Sequence, residues 1–554
     1  MLVQKKIYKA LFIVLFLTVL SFEASAAVAC SKKSSTPGAY VDRFWVADPP
    51  PSGEKRWWHD NANWSEESGG SPGASAPTNG CGKARFDGGS VVNASLFTGY
   101  RIHFLKIEGG YTGTIDLNGK HLKVTKNIAT HGGTILVPTD SILQNWGDLY
   151  IYSGGTITAS NAKLISVKKN VNIRQGGTFT APGGDHTRFV VHGGFNIKSG
   201  GTFNHNNGTV NLATQYKGSC ANTTATINIE DGPGTGRNFY NLYKSGKRHV
   251  YLNHDIKVEN DLTNIGNGCI KAKNRSNTSR NITIGGDWYQ KTTNNFQGST
   301  GKVIFNGSSA QTIDSAANFT NVQISNSDVS LIKDTTITGT LTIDLGATLD
   351  LNGYNLTAGT LVNNGNLQLK GSETVTITTM DTDSGTVTYD GTGTYTQLAA
   401  GDTYFNLTLN SSGSITLDAN LNVDGDLTIT NGTLDVSTDN RSINVAGNWS
   451  NGDTFISRSG TVTFDGTSVI VTGGTGDSND FYDVTLGGTS ASQSTNAIAI
   501  DNDFEITSSG TWYTMCLAMT VSGDTTTGSG SIATTLAPSV SEFVPANSAT
   551  GVAV

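Results

Sequence analysis

From Gly88 onward the chain alternates apolar and polar residues over runs of three to six, separated by Gly, Asn, Asp and Ser. A period of two is that of strands with one buried face. No stretch carries the period of a convincing amphipathic helix. The runs recur in phase. Gly132-Gly133-Thr134-Ile135 returns as Gly154-Gly155-Thr156-Ile157, Gly176-Gly177-Thr178-Phe179 and Gly200-Gly201-Thr202-Phe203, at steps of 22, 22 and 24 residues. Hairpins of a sandwich would place turn signals every roughly 8–12 residues without a shared phase. One coil of a parallel β-helix takes about 22 residues, so the repeats predict stacked coils.

A longer repeat of about 80 residues overlies the short one. Gly301-Lys302-Val303-Ile304-Phe305 matches Gly385-Thr386-Val387-Thr388-Tyr389 and Gly460-Thr461-Val462-Thr463-Phe464. Downstream lie Phe-centred strands: Phe239-Tyr240-Asn241-Leu242, Phe319-Thr320-Asn321-Val322, Phe405-Asn406-Leu407 and Phe481-Tyr482-Asp483-Val484. Thr114-Ile115-Asp116-Leu117-Asn118-Gly119 agrees with Thr348-Leu349-Asp350-Leu351-Asn352-Gly353, and Gly286-Asp287-Trp288 with Gly447-Asn448-Trp449.

These patterns predict an all-β chain: a right-handed parallel β-helix, or β-solenoid, with an N-terminal Trp-rich cap. A single coil cannot bury its inward side chains, whereas stacked coils share a core and pair their backbones. Inward Val, Ile, Leu and Phe alternate with outward Thr, Asn and Ser; Gly and Asn take the corners, where stacked Asn amides are expected to form ladders. Residues 96–537 at about 22 per coil make on the order of 20 coils. Outward Thr-x-Thr pairs such as Thr156/Thr158 and Thr178/Thr180 follow from the strand preference of β-branched side chains.

Residues 27–95 are the expected cap. They hold Trp45, Trp57, Trp58 and Trp64, four of the eight tryptophans. These rings can cover the first coil, and Trp57, Trp58 and Trp64 are also candidates for stacking on sugar rings. Residues 1–26 read as a signal peptide: Lys5, Lys6 and Lys9, then the apolar Ala10–Leu20, then Ala24-Ser25-Ala26. A competing lipoprotein reading would place a lipid on Cys30. No later segment is long and apolar enough to span a bilayer.

Export permits disulfides. Of the five cysteines, Cys30–Cys81 and Cys220–Cys269 are the expected pairs, with Cys516 left as a buried thiol. Residues 538–554 read as a linker and the start of a truncated Ig-like domain, from the resemblance of Pro545-Ala546-Asn547-Ser548-Ala549-Thr550-Gly551-Val552 to the first strand of bacterial Ig-like domains.

Charge divides the chain. Residues 1–302 hold 33 Lys and Arg against 19 Asp and Glu, a net of +14; residues 303–554 hold 4 against 25, a net of −21. All nine histidines lie in the first part. The basic part can meet anionic glycans, although solvated faces account for the same counts. No aromatic-plus-basic nucleic-acid motif occurs.

Motifs for catalysis are scarce: there is no His-Glu-x-x-His and no phosphate loop. Neither a catalytic set, a cofactor site nor a metal site is assigned. Gly184-Asp185-His186 is the nearest approach to a polysaccharide-cleaving site and reads as a polar turn. The pairs Asp381/Asp383, Asp424/Asp426 and Asp501/Asp503 supply too few oxygens for Ca²⁺ and read as solvated turns.

The Trp58–Ser65 run, Ser68-Gly69-Gly70, Gly73–Pro77 and Phe86-Asp87 resemble the N-terminal segment of large secreted bacterial β-helix proteins. The Gly-Thr-Leu-Asp-type coils are similar to those of autotransporter and adhesin passenger domains. The resemblance implies an extracellular or cell-surface structural and adhesive protein. Such a protein displays polar faces for weak multivalent contacts with carbohydrate or other cell-surface ligands. The alternative is a polysaccharide-active β-helix lyase or hydrolase.

Overall fold

The computed structural model describes residues 40–52, 54–214, 225–292, 296–315, 318–473 and 479–534. The leader, Cys30, Cys220 and the Ig-like start lie outside them. The chain is nearly all-β and forms a β-solenoid of about 21 turns, as the repeat length requires. One short 3-10 turn, Asn61–Asn63, interrupts the strands near the start. No helix among the described residues is long and apolar enough to cross a membrane. The chain forms two compact units. One runs to Gly183 and includes Gly200–Asn204; the other comprises Gly184–Ser199 and the chain from His205 on.

In the first unit each coil adds one strand to each of three parallel sheets. The Gly-Gly-Thr segments stand in a column: Thr134 pairs with Thr156, Thr156 with Thr178 and Thr178 with Thr202. One residue on, Ile115, Ile135, Ile157, Phe179 and Phe203 stack inward and are fully buried. The two glycines have different duties. Gly154, Gly176 and Gly200 turn the corner at φ 81°, 69° and 72°, the left-handed region open to Gly. Gly155 and Gly177 let coils approach: a Cβ on them would lie 2.5 Å from Thr130 O and 2.4 Å from Ile151 O.

The N-terminal end is closed by aromatic packing. Trp45, Trp58 and Trp64 are fully buried around Phe86, with ring centroids 5.5, 5.6 and 5.6 Å from it. Each indole N–H donates to a carbonyl: Trp45 to Val92 at 2.9 Å, Trp58 to Pro77 at 3.2 Å and Trp64 to Trp58 at 2.7 Å. A polar handle satisfied in this way lets so large a ring be buried without penalty. Parallel pairing already begins here, between Val41–Trp45 and Gly82–Phe86, while Val41–Trp45 also pairs antiparallel with Trp64–Ser65.

The second unit explains the longer repeat. Phe239, Phe319 and Phe481 point inward and are buried. Two residues on, Asn241, Asn321 and Asp483 each accept the backbone N–H of the next coil: Asp261 at 3.0 Å, Thr340 at 2.9 Å and Asp503 at 3.1 Å. In the third copy the inward ring is Tyr404, not Phe405, which is only half-buried. The spacing to the capping residue decides this, since Asn406 Oδ1 accepts Asp426 N at 2.8 Å and sits two residues after Tyr404. The two Trp copies are also equivalent. Trp288 packs edge-on against Phe296 and Phe319 at 5.0 and 5.2 Å, and Trp449 packs edge-on against Phe455 at 4.9 Å and tilted against Phe481 at 5.2 Å.

The expected amide ladders take mainly another form. Side-chain oxygens cap backbone N–H groups of the following coil, so the chain runs Asn406 to Asp426 to Asn448 to Ile470, at 2.8, 2.7 and 2.9 Å. A carboxylate serves as well as an amide because only an acceptor is needed. In the Asp-x-Asn repeats, Asp116 and Asp350 accept the N–H of Asn118 and Asn352, which adopt φ 48° and 50°. Polar side chains also turn inward at strand ends, where they close the corner onto the carbonyl two residues ahead. Thr130 does so to Gly132 at 2.7 Å, Asn145 to Gly147 at 3.2 Å and Gln290 to Thr292 at 3.3 Å.

Cys516, expected as a buried thiol, is exposed. It follows Met515 in a left-handed turn, φ 50° and 62°, which lifts it off the core. Cys81 and Cys269 are buried, while their expected partners lie outside the described residues.

Candidate functional site

Three places gather chemistry-bearing side chains. The first is beside the N-terminal lid. Of the three tryptophans singled out for sugar stacking, Trp58 and Trp64 are sealed inside. Trp57, next to them on the strand Arg56–Trp57, points the other way and is half-buried. It meets Phe97 edge-on at 5.5 Å, and His59 lies 5.0 Å from Phe97, which is 59% exposed. Lys55 Nζ lies 5.9 Å from the Trp57 ring and donates to Asn118 Oδ1 at 3.0 Å. Phe97 was not singled out from the sequence. It follows the buried Leu96, and alternation alone would have put it outside.

The second place is a cleft of about 440 Å³ in the second unit, lined among others by Asp185, His186, Thr209, Asn241, Tyr243 and Asp261. Gly184-Asp185-His186 therefore does face a cavity. The His186 ring stacks on Tyr243 with centroids 4.2 Å apart. Both carboxylates already serve as caps. Asp185 Oδ1 accepts the Thr187 N–H at 3.0 Å and its hydroxyl at 2.5 Å, and Asp261 Oδ1 accepts Asp287 N at 2.9 Å. Burial pushes the Asp185 carboxyl up, but the Thr187 hydrogen bonds and the nearby His186 and Arg188 outweigh it and hold it below the usual range. A general acid for glycoside cleavage needs a raised carboxyl, and Asp185 is shifted the opposite way.

The Asp-x-Asp pairs behave as turns. Asp381 accepts Asn363 N at 2.6 Å and Asp383 N at 3.2 Å; Asp426 and Asp503 cap Asn448 and Asp524. No group of three or more His, Cys, Asp or Glu suited to a metal ion occurs among the described residues.

The third place is a pair of basic faces on the first unit. On one, Asp42 pairs with Lys83 at 3.5 Å and Arg85 at 2.6 Å, and Glu108 with Arg85 at 3.8 Å and Lys106 at 2.5 Å. On the other, Arg101, Lys123 and Gln144 occupy one register column on successive coils. Trp146, two residues past Gln144, is 37% exposed. Lys123 Nζ lies 4.0 Å from its ring centroid and the Arg101 guanidinium carbon 5.7 Å. Alternation from Gln144 would have found this ring, had a lone Trp among lysines been followed across coils.

Compared with known proteins, the chain matches no family model, no curated protein and no solved structure.

Proposed function

We propose that this is an exported, cell-surface or extracellular structural protein whose stacked coils display polar faces for weak, multivalent adhesion to glycans or other cells. The observation that carries this reading is what the outward polar side chains do. Coil after coil, Asn and Asp caps join each turn to the next, as from Asn406 through Asp426 and Asn448 to Ile470. Such a surface supports a durable scaffold whose binding groups repeat along it. The test is binding of the purified chain to a glycan array and to whole cells. Binding to one or more glycans without cleaving them is the expected result.

A second reading, a polysaccharide lyase or hydrolase, draws on the cleft with Asp185, His186 and Asp261. It becomes the better one if the chain depolymerises a polysaccharide and Asp185→Asn or Asp261→Asn abolishes that activity.

A further inference from the structure

The cleft of the second unit opens on a face that carries tyrosines. Tyr243 pairs with Thr263 and Thr263 with Tyr289, so the three occupy one register column on successive coils. Coils repeat at roughly 4.8 Å, which sets the two tyrosine positions about 10 Å apart along the stack. Tyr243 is half-buried and stacks on His186 inside the cleft, while Tyr289 is 38% exposed. The two phenols are near enough to interact: burial first, then Tyr289, push the Tyr243 phenol above its usual range. Two aromatic surfaces thus lie on one path, one inside the cleft and one beyond it.

The polar groups divide into those already used and those left over. Asn241 Oδ1 accepts Asn260 Nδ2 at 2.9 Å and Asp261 N at 3.0 Å, its Nδ2 donates to Thr209 Oγ1 at 3.3 Å, and Asp261 Oδ1 accepts Asp287 N at 2.9 Å. These bonds hold the floor of the cleft in place. Among the described residues, Asp261 Oδ2 and the hydroxyls of Tyr243 and Thr263 make no hydrogen bond. The described lining carries two carboxylates, Asp185 and Asp261, and no Lys or Arg. Acceptors without cations suit a ligand that brings hydroxyl donors and no negative charge.

We infer that His186, Tyr243, Asp261, Thr263 and Tyr289 form a binding site for a neutral, β-1,4-linked glycan that lies along the stack of coils. In such an extended chain every second sugar presents the same face, so rings two coils apart meet alternate sugars. The C–H face of one sugar packs against the His186–Tyr243 stack and that of another against Tyr289, while sugar hydroxyls donate to Asp261 Oδ2 and exchange hydrogen bonds with Thr263. A peptide added as a strand would need an unpaired edge, and the Tyr243 strand is paired on both sides. The inference rests on the display reading in taking the glycan to be held and not cut: Asp185, held below the usual carboxyl range, is no general acid.

The test measures binding of the full chain to cellohexaose, xylohexaose and mannohexaose, to the corresponding disaccharides, and to polygalacturonate. Expected is binding of at least one hexaose, tighter than its disaccharide and insensitive to salt, with no binding of polygalacturonate. Tyr289→Ala should weaken hexaose binding about three- to tenfold, and Tyr289→Trp should retain it. Asp261→Asn, whose amide oxygen still caps Asp287 N, should weaken it about tenfold. Tyr354→Ala, which removes an exposed tyrosine outside the cleft, should bind like the native chain. Far-UV circular dichroism checks that each variant folds. The site is overturned if no hexaose binds, if Tyr289→Ala and Asp261→Asn both bind like the native chain, or if the bound hexaose is cut. Adhesion to cells that survives in Tyr289→Ala/Asp261→Asn would remove this site and leave the display reading; a chain that binds the hexaose through these residues yet adheres to no cell would remove the display reading and leave the site.

Discussion

The first unit and the coils beyond residue 302 carry opposite charge and use it differently. In the first unit cations lie over rings, as Lys123 does over Trp146, or pair with carboxylates at the surface, as Lys106 does with Glu108. In the later coils carboxylates hold the backbone: Asp426, Asp483 and Asp503 each accept an N–H of the next turn. Charged side chains thus have different consequences in the two regions. An acid in the later coils caps the backbone, while Lys123 in the first unit lies over the Trp146 ring. Net charge along the sequence does not separate these cases; the hydrogen-bond partner does.

The comparison breaks most sharply at the aromatic residues of the first unit. Trp58→Ala should cost about 3–5 kcal/mol of stability, because a fully buried ring and its N–H partner are lost. Trp57→Ala should stay within about 0.5–1 kcal/mol, since that ring is half outside. Denaturant unfolding of the two variants checks this, and equal losses would mean that outward rings also hold the fold.

Asp435→Ala comes next. Asp435 accepts Arg458 through both oxygens at 2.5 and 2.7 Å and caps Ser437 N at 2.9 Å, so its loss should cost about 2 kcal/mol. The Arg458 hydrogen bonds hold the Asp435 carboxyl below its usual range against the opposing effect of burial. Its contribution is therefore present above the unfolded carboxyl pKa, about 4, and is lost as pH falls through the lower folded value. Thermal unfolding followed from pH 7 to 3 should show the native chain losing more stability than Arg458→Gln.

A single cap is smaller. Asp426→Ala should cost about 1 kcal/mol, and Asp426→Asn much less, because the amide oxygen still accepts Asn448 N. If Asn were as harmful as Ala, charge rather than the acceptor would be what matters. Smallest of all, Lys123→Gln should leave stability within about 0.5 kcal/mol; a large loss of stability would place Lys123 with the structural charges.

Much of this was legible in advance. The Gly-Gly-Thr phase named the column that Thr134, Thr156, Thr178 and Thr202 form, because a solenoid translates sequence period directly into stacking. What was not legible depended on a choice of face or register. Phe405 looked like the third copy of an inward ring, yet Tyr404 takes that place because Asn406 must reach the next coil. Trp57 and Trp58 are neighbours with opposite fates, as alternation demands, but only the packing says which one goes inside. Thr130, Asn145 and Gln290 point inward against the usual rule, since each closes a corner through a carbonyl.

By itself, then, the sequence determined that this chain stacks as coils, how long each coil is and which residue types turn its corners, because those features repeat and repetition needs no partner from elsewhere. The tertiary structure decided which carboxylates are caps and which tryptophans form the lid. Those are properties of residues about a coil apart, brought side by side only when the turns are laid on one another.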